Sequence, residues 1–272
     1  SVAQGITQYE AAITMLFDSH IHVGQFYDIY FSPKMILDVC KQIGITSIAV
    51  SSTSVAEENY PKVLSEFNQL LSQDEIRIVP ILWITPRMLR TGGVQQFRDS
   101  GIRWQCIKVH NYLHYGEWGD AMGSLMKQIV DLAQDMNLPI LFHTGNENCY
   151  PDDYAPLIQA HPEQTFILAH SRPVDQTIRV MQACHNAWAD TAFTPIGGIM
   201  QMVHTGLIDR MMWGTDLPMM YVYDVSSHSK GVATYDFRGY YNALLSQLHS
   251  SLNVADYRKL TYQTASSFYS GI

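Results

Sequence analysis

Eight short apolar runs recur along the chain. They begin near Phe17, Ser47, Arg77, Cys106, Pro139, Thr165, Ala187 and Arg210, at intervals of 30, 30, 29, 33, 26, 22 and 23 residues. β-Branched and aromatic residues fill them, and a polar residue or glycine ends them, which is the pattern of strands. The gaps hold helical segments. Residues 33–43 (PKMILDVCKQI) follow Ser32 as N-cap, carry Pro33 at the first helical position and stop at Gly44. Residues 60–71 follow Asn59 in the same way, and 121–136 carry Leu125, Ile129, Leu132 and Met136 at helical spacing. Residues 155–160 and 174–186 fill the next two gaps. Alternating strands and helices imply a parallel sheet with right-handed crossovers, and eight such units imply a closed (β/α)8 TIM barrel in a single α/β domain. An open doubly wound sheet should show a Gly-rich phosphate loop after its first strand; here that strand ends in His20-Ile21-His22. Residues 1–16 are expected to cap the barrel base and 17–272 to form the barrel. The longest irregular stretch, 217–235, follows the eighth strand, where a long loop serves as a lid or specificity loop.

The chain has 272 residues, 47% of them hydrophobic and 15% charged, enough for a large core. A net charge of −8 without a run of Lys or Arg argues against a nucleic-acid partner. No apolar run reaches membrane-spanning length, and no signal peptide is seen. Cys40, Cys106, Cys149 and Cys184 are far apart and form no CxxC pair, which reads as reduced thiols in a cytoplasmic protein. These features leave a small molecule as the expected substrate. They do not set the oligomeric state, and a homo-oligomer is compatible with them.

Residues two apart on a strand face the same way, so His20 and His22 converge. Three further runs end in a metal-competent residue: PILFHTG at His143, TFILAHS at His170 and RMMWGTD at Asp216. The strand ends of a parallel barrel open onto one face, so all five would ring one cavity. Neutral imidazoles and a carboxylate suit one divalent ion, zinc first, with manganese, iron or cobalt as alternatives.

This order of motifs resembles the amidohydrolase superfamily, and within it the amidohydrolase-related branch of small barrels. The resemblance runs through FDSHIHVG, IKVH, LPILFHTG, FILAHS, AWADTA and MMWGTDLP. It implies His20, His22, His143 and Asp216 as metal ligands. It also implies catalytic roles for Asp216, which would receive the proton of the attacking water, and for His170, which would bind a second metal or hydrogen-bond substrate or water. The usual Asn-Ala before the last helix is Thr264-Ala265 here, a departure that touches structure more than chemistry.

Lys108, which in some relatives is carboxylated and bridges two metals, is read with His110 and Arg172 as a substrate-binding residue. A buried lysine paired with an acid and a surface salt bridge of Arg172 are the plainer alternatives. Asp18 is expected to face inward like His20, as a ligand orienter or a backbone acceptor. Asp190 is expected mainly as a structural residue, with ligand orientation or a tie to Lys108 as alternatives. Glu147 and Asn148 are rim candidates, Tyr221 and Tyr223 pocket-shaping candidates, and His114, His204 and His228 carry no expected chemistry. The resulting reading is a metal-dependent hydrolase of an amide, lactone or other ester. Non-oxidative decarboxylation of an aromatic or enoic acid is the enzymatic alternative. A non-catalytic small-molecule-binding barrel is the alternative of another class.

Overall fold

The computed structural model describes residues 15–114 and 116–270. Among the described residues nine strands form one sheet, numbered in chain order: β1 Phe17–Phe26, β2 Ile29–Phe31, β3 Ser47–Ser52, β4 Arg77–Trp83, β5 Cys106–Val109, β6 Ile140–His143, β7 Phe166–Ala169, β8 Ala187–Asp190 and β9 Met211–Met212. The short β2 folds back antiparallel on β1, and every other pairing is parallel. The chain after β9 closes the sheet onto β1. Ser19 N donates to Trp213 O at 3.0 Å, Asp216 N to His20 O at 2.8 Å and His22 N to Leu217 O at 2.7 Å. Eight parallel strands therefore make the expected single-domain barrel, and the β1–β2 hairpin is an addition to it.

Helices Pro33–Ile43 and Tyr60–Leu71 have the expected bounds, because Ser32 and Asn59 accept hydrogen bonds from the amides of Met35 and Lys62. Two short helices, Pro86–Thr91 and Val94–Arg98, intervene, and the next of the expected helices begins at Ser124 rather than 121, after Gly123. The following one begins earlier, at Pro151, and Val174–Ala183 ends three residues sooner than expected. Stretch 217–235 is not irregular: it holds helix Met219–Tyr223 and two 3-10 turns, Val225–Lys230 and Val232–Thr234. The expected N-terminal cap lies, but for its last two residues, outside the described residues. No helix among the described residues is long and apolar enough to cross a membrane.

Strand alternation separates two apolar layers. Phe17, Ala49, Ile81, Cys106, Leu141, Ile167 and Met212 fill the barrel, with Ala265 and Tyr269 of the C-terminal segment packed against them. Ile21, Ile48, Val50, Ile107, Phe142 and Leu168 pack in the outer layer. The pairing of β1 with β3 slips by one residue between Asp18 and Ile21. That bulge reverses the alternation. Asp18 consequently points outward, where it meets the phenol of Tyr241 on helix Phe237–Ser251, while His20 and His22 face the axis. The expectation that Asp18 shares the inward face of His20 is corrected by this extra residue.

Candidate active site

His20 and His22 stand on β1, His143 ends β6, and His170 follows β7. Asp216 lies four residues past β9. All five are buried. His170 and Asp216 have left-handed backbones, with φ of 71° and 65°. Non-glycine residues rarely adopt this conformation, and it concentrates at functional sites. Here it is secured by hydrogen bonds from His170 N to Asp190 Oδ1 and from Asp216 N to His20 O. Gly214 allows the closing approach, since a Cβ there would lie 2.8 Å from His20 Cβ.

The donor atoms converge. Asp216 Oδ1 lies 2.7 Å from His22 Nε2 and 3.4 Å from His20 Nε2, and Asp216 Oδ2 lies 3.9 Å from His170 Nε2. Donor atoms of His20, His170 and Asp216 all lie within 4.8 Å of one another. Asp190 Oδ2 accepts from His20 Nδ1 at 2.8 Å, and Ala192 O accepts from His170 Nδ1 at 2.9 Å. Both imidazoles therefore present a lone pair at Nε2. Among the described residues, His20 Nε2 and Asp216 Oδ1 are buried without a hydrogen-bond partner, His22 Nε2 being close to that oxygen but out of line. Lone pairs and a carboxylate that face each other with no donor between them suit a cation.

The electrostatics agree. Burial, with Lys108 nearby, lowers the His22 pKa to about 3, and burial lowers that of His170 to about 4. Burial and the neighbouring cations push His110 and His143 well below the ordinary imidazole value. Burial opposes charge on Asp216, but His20, His22 and His170 hold its pKa below the usual carboxylate range. Asp190 is held low against burial by His20 and His170.

His143 stands beside this group. Its Nε2 is 2.7 Å from Asn146 Oδ1, and its ring stacks on His110 with centroids 3.9 Å apart. His110 Nδ1 accepts from Leu113 N. Lys108 is buried, with Nζ 3.4 Å from His22 Nε2 and 4.5 Å over the Trp83 ring, and burial lowers its pKa to about 8. Arg172 donates to Thr144 O from Nε and Nη2. Neither cation has an ion-pair partner among the described residues, so the paired-lysine and surface-salt-bridge alternatives are not what the structure shows. Asp190 reaches the His20 imidazole, a contact with a candidate ligand beyond the mainly structural role expected. Asp18 accepts from the amides of His20 and Thr215 and from the hydroxyls of Thr215 and Tyr241, the backbone-acceptor alternative.

The five candidate histidine and aspartate positions, Lys108, His110 and Arg172 line a cavity of about 370 Å³ at the strand ends, together with Trp83, Tyr112, Asn146, Met219 and Tyr223. Trp83 and Asn146 were missed in the sequence. Trp83 ends its apolar run just as His143 does, which was the available signal. Glu147 and Asn148 are exposed and outside this cavity. Tyr221 is buried against Phe31 and Tyr235 and does not line it.

Among solved structures, the fold matches a probable 2-pyrone-4,6-dicarboxylic acid hydrolase from Acinetobacter baumannii with citric acid bound, at 11% identity and a TM-score of 0.64, covering 94% of this chain and 99% of that one. It matches a zinc-bound amidohydrolase from Burkholderia multivorans at 11% identity and a TM-score of 0.62, covering 94% and 99%. It also matches a dihydroxybenzoic acid decarboxylase from a Polaromonas species with bound manganese and the inhibitor 2-nitroresorcinol, at 11% identity and a TM-score of 0.64, covering 94% and 97%. No curated protein sequence matches the chain. The family model described as amidohydrolase matches residues 94–236, more than half of the chain. With the barrel closed and its strand ends bearing the buried imidazoles and carboxylate, the chain belongs to the amidohydrolase family and is an enzyme.

Proposed function

We propose that this enzyme is a metal-dependent hydrolase that cleaves an amide, a lactone or another ester of a small carboxylate-bearing molecule. The observation that carries the reading is the convergence of His20, His22, His170 and Asp216, with unpartnered buried donor atoms, on a cavity at the strand ends. One divalent ion would be held by His20, His22 and Asp216, with His143 as fourth donor in exchange for its Asn146 contact and Lys108 unmodified. Zinc is the first choice; manganese, iron and cobalt are alternatives. When bound, such an ion polarises a carbonyl oxygen and eases deprotonation of water.

The chain's own residues supply the rest. Asp216, held ionised, takes a proton from the attacking water and passes it to the leaving group. His170 presents a lone pair at Nε2, so it accepts a hydrogen bond from that water and orients it. Asp190 fixes the tautomer of His20. Lys108 and Arg172, without a carboxylate partner among the described residues, attract a substrate carboxylate.

That last feature also favours a second reading, non-oxidative decarboxylation, in which Asp216 passes a proton taken from water to the carbon whose bond to the departing CO2 breaks. Elemental analysis and a panel of lactones, amides and aromatic acids, with acid and CO2 release both followed, test the two. About one ion per chain and chelator-sensitive acid release, restored by zinc or manganese, are expected for the hydrolase. CO2 release alone would replace it by the decarboxylase. A protein that neither holds nor responds to metal would leave a binding barrel.

A further inference from the structure

The β1–β2 hairpin is not needed to close the barrel. Its turn residue Tyr27 has φ 53°, a conformation that hairpin turns ordinarily give to glycine or asparagine. The side chain is 79% exposed and still lines the cavity that holds His20, His22 and Asp216. Tyr223 and Tyr112, 68% and 51% exposed, line the same cavity from the segments after β9 and β5. One exposed tyrosine is ordinary on any surface. Three from separate segments around one mouth, one of them in a left-handed turn, are not scattered.

Their rings continue inward. Tyr112 stacks on His143 with centroids 6.2 Å apart. Tyr223 meets Phe193 edge-on at 5.5 Å, and Phe193 stacks on His170 at 6.3 Å. Aromatic surface thus runs from the rim to the imidazoles, the kind of wall that takes a flat apolar group.

We propose that Tyr27, Tyr112 and Tyr223 form an outer subsite for an aryl group, so that the substrate has two parts: a carboxylate-bearing reacting part beside Lys108 and Arg172, and a second planar ring at the rim. The inner half of this statement rests on the proposed function; the outer half rests on the rim alone.

The test compares binding of benzoate and 4-phenylbenzoate to the protein as purified, by calorimetry. The second ring is expected to tighten binding about tenfold or more through apolar burial. Tyr27→Gly should remove most of that gain and shift benzoate affinity far less, with metal content unchanged and a Tm no lower than the parent's, because glycine suits the left-handed turn. Tyr223→Ala should reduce the gain by a second route. Equal affinity of the two acids for the parent, binding of neither, or a gain that survives both substitutions together would overturn the proposal. So would a parent dimer that Tyr27→Gly splits without changing either affinity, which would assign the rim to a second copy. Failure of the hydrolase reading would show instead in metal content and turnover of the parent.

Discussion

Among single residues, Asp216 and Asp190 divide the work on one carboxylate–imidazole group. Asp216 faces the lone pairs, and Asp190 sits behind His20 and sets which nitrogen keeps its proton. Asp216→Asn is expected to keep the fold and lower turnover by about 10²–10⁴, as loss of a general base does; a parental rate would remove Asp216 from that role. Asp190→Asn frees His20 to adopt the other tautomer, and is expected to weaken metal affinity by about 10–100-fold in a chelator competition. His143 and His170 are separated by their own pair of variants. His143→Ala should lower metal content and His170→Ala should leave it while slowing turnover; the reverse would make His170 the fourth ligand. The convergence of the five histidine and aspartate positions was legible because His143, His170 and Asp216 each end an apolar run and His20 and His22 stand two apart on one strand. Asn146 was not, because a polar residue in a loop three positions after His143 carries no periodicity. The outward turn of Asp18 was hidden as well, since a one-residue bulge leaves no mark on an alternating pattern.

At the scale of elements, five of the eight expected strand starts and the bounds of two helices were readable to the residue, and the strands expected at Pro139, Thr165 and Arg210 start one residue later, because caps and prolines mark helix ends and apolar runs mark strands only roughly. The β1–β2 hairpin was not readable: β2 has three residues, and its turn places a tyrosine where the usual signal is glycine or asparagine. The segment after β9 looked irregular because its helical pieces are one or two turns long, too short to show a period. It does two things. Tyr223 lines the cavity, while buried Tyr221 packs on Phe31 and is covered by His228 at a ring distance of 5.0 Å. Removing residues 222–232 is therefore expected to raise the Michaelis constant, alter substrate preference and also lower Tm, with metal content intact. Tyr223→Ala should reproduce the kinetic change without the loss of Tm, and His228→Ala the loss of Tm without the kinetic change. An unaltered preference in the truncated protein would show that this segment does not shape the pocket.

For the whole molecule, the buried imidazoles make stability depend on pH in a definite direction. His22 and His170 are held at about 3 and about 4, and His110 and His143 well below 6.5, chiefly because burial disfavours their charged forms. The unfolded chain takes up these protons near the ordinary value of 6.5, so between about 6.5 and 4 it binds more protons than the folded one. Stability then falls as pH falls, by up to about 1.4 kcal/mol per pH unit for each imidazole. Asp18 acts the other way. Burial raises its pKa from 3.8 to about 6, so its contribution is present at low pH and is lost as pH rises through 6. Burial also raises Glu66, which acts in the same direction as Asp18, and two carboxylates against four imidazoles leave the net slope positive. The chelator-treated protein is expected to melt on the order of 10 °C lower at pH 5 than at pH 7, taking about 2–4 °C per kcal/mol for a chain of this size. Zinc or manganese should raise Tm at pH 7 and still raise it at pH 5, since the folded imidazoles of His22 and His170, titrating at about 3 and about 4, keep their lone pairs free for ligation there. A Tm that stays flat or rises from pH 7 to pH 5 without metal would mean that the imidazoles are already charged in the folded chain, and a site of charged imidazoles would not take a cation.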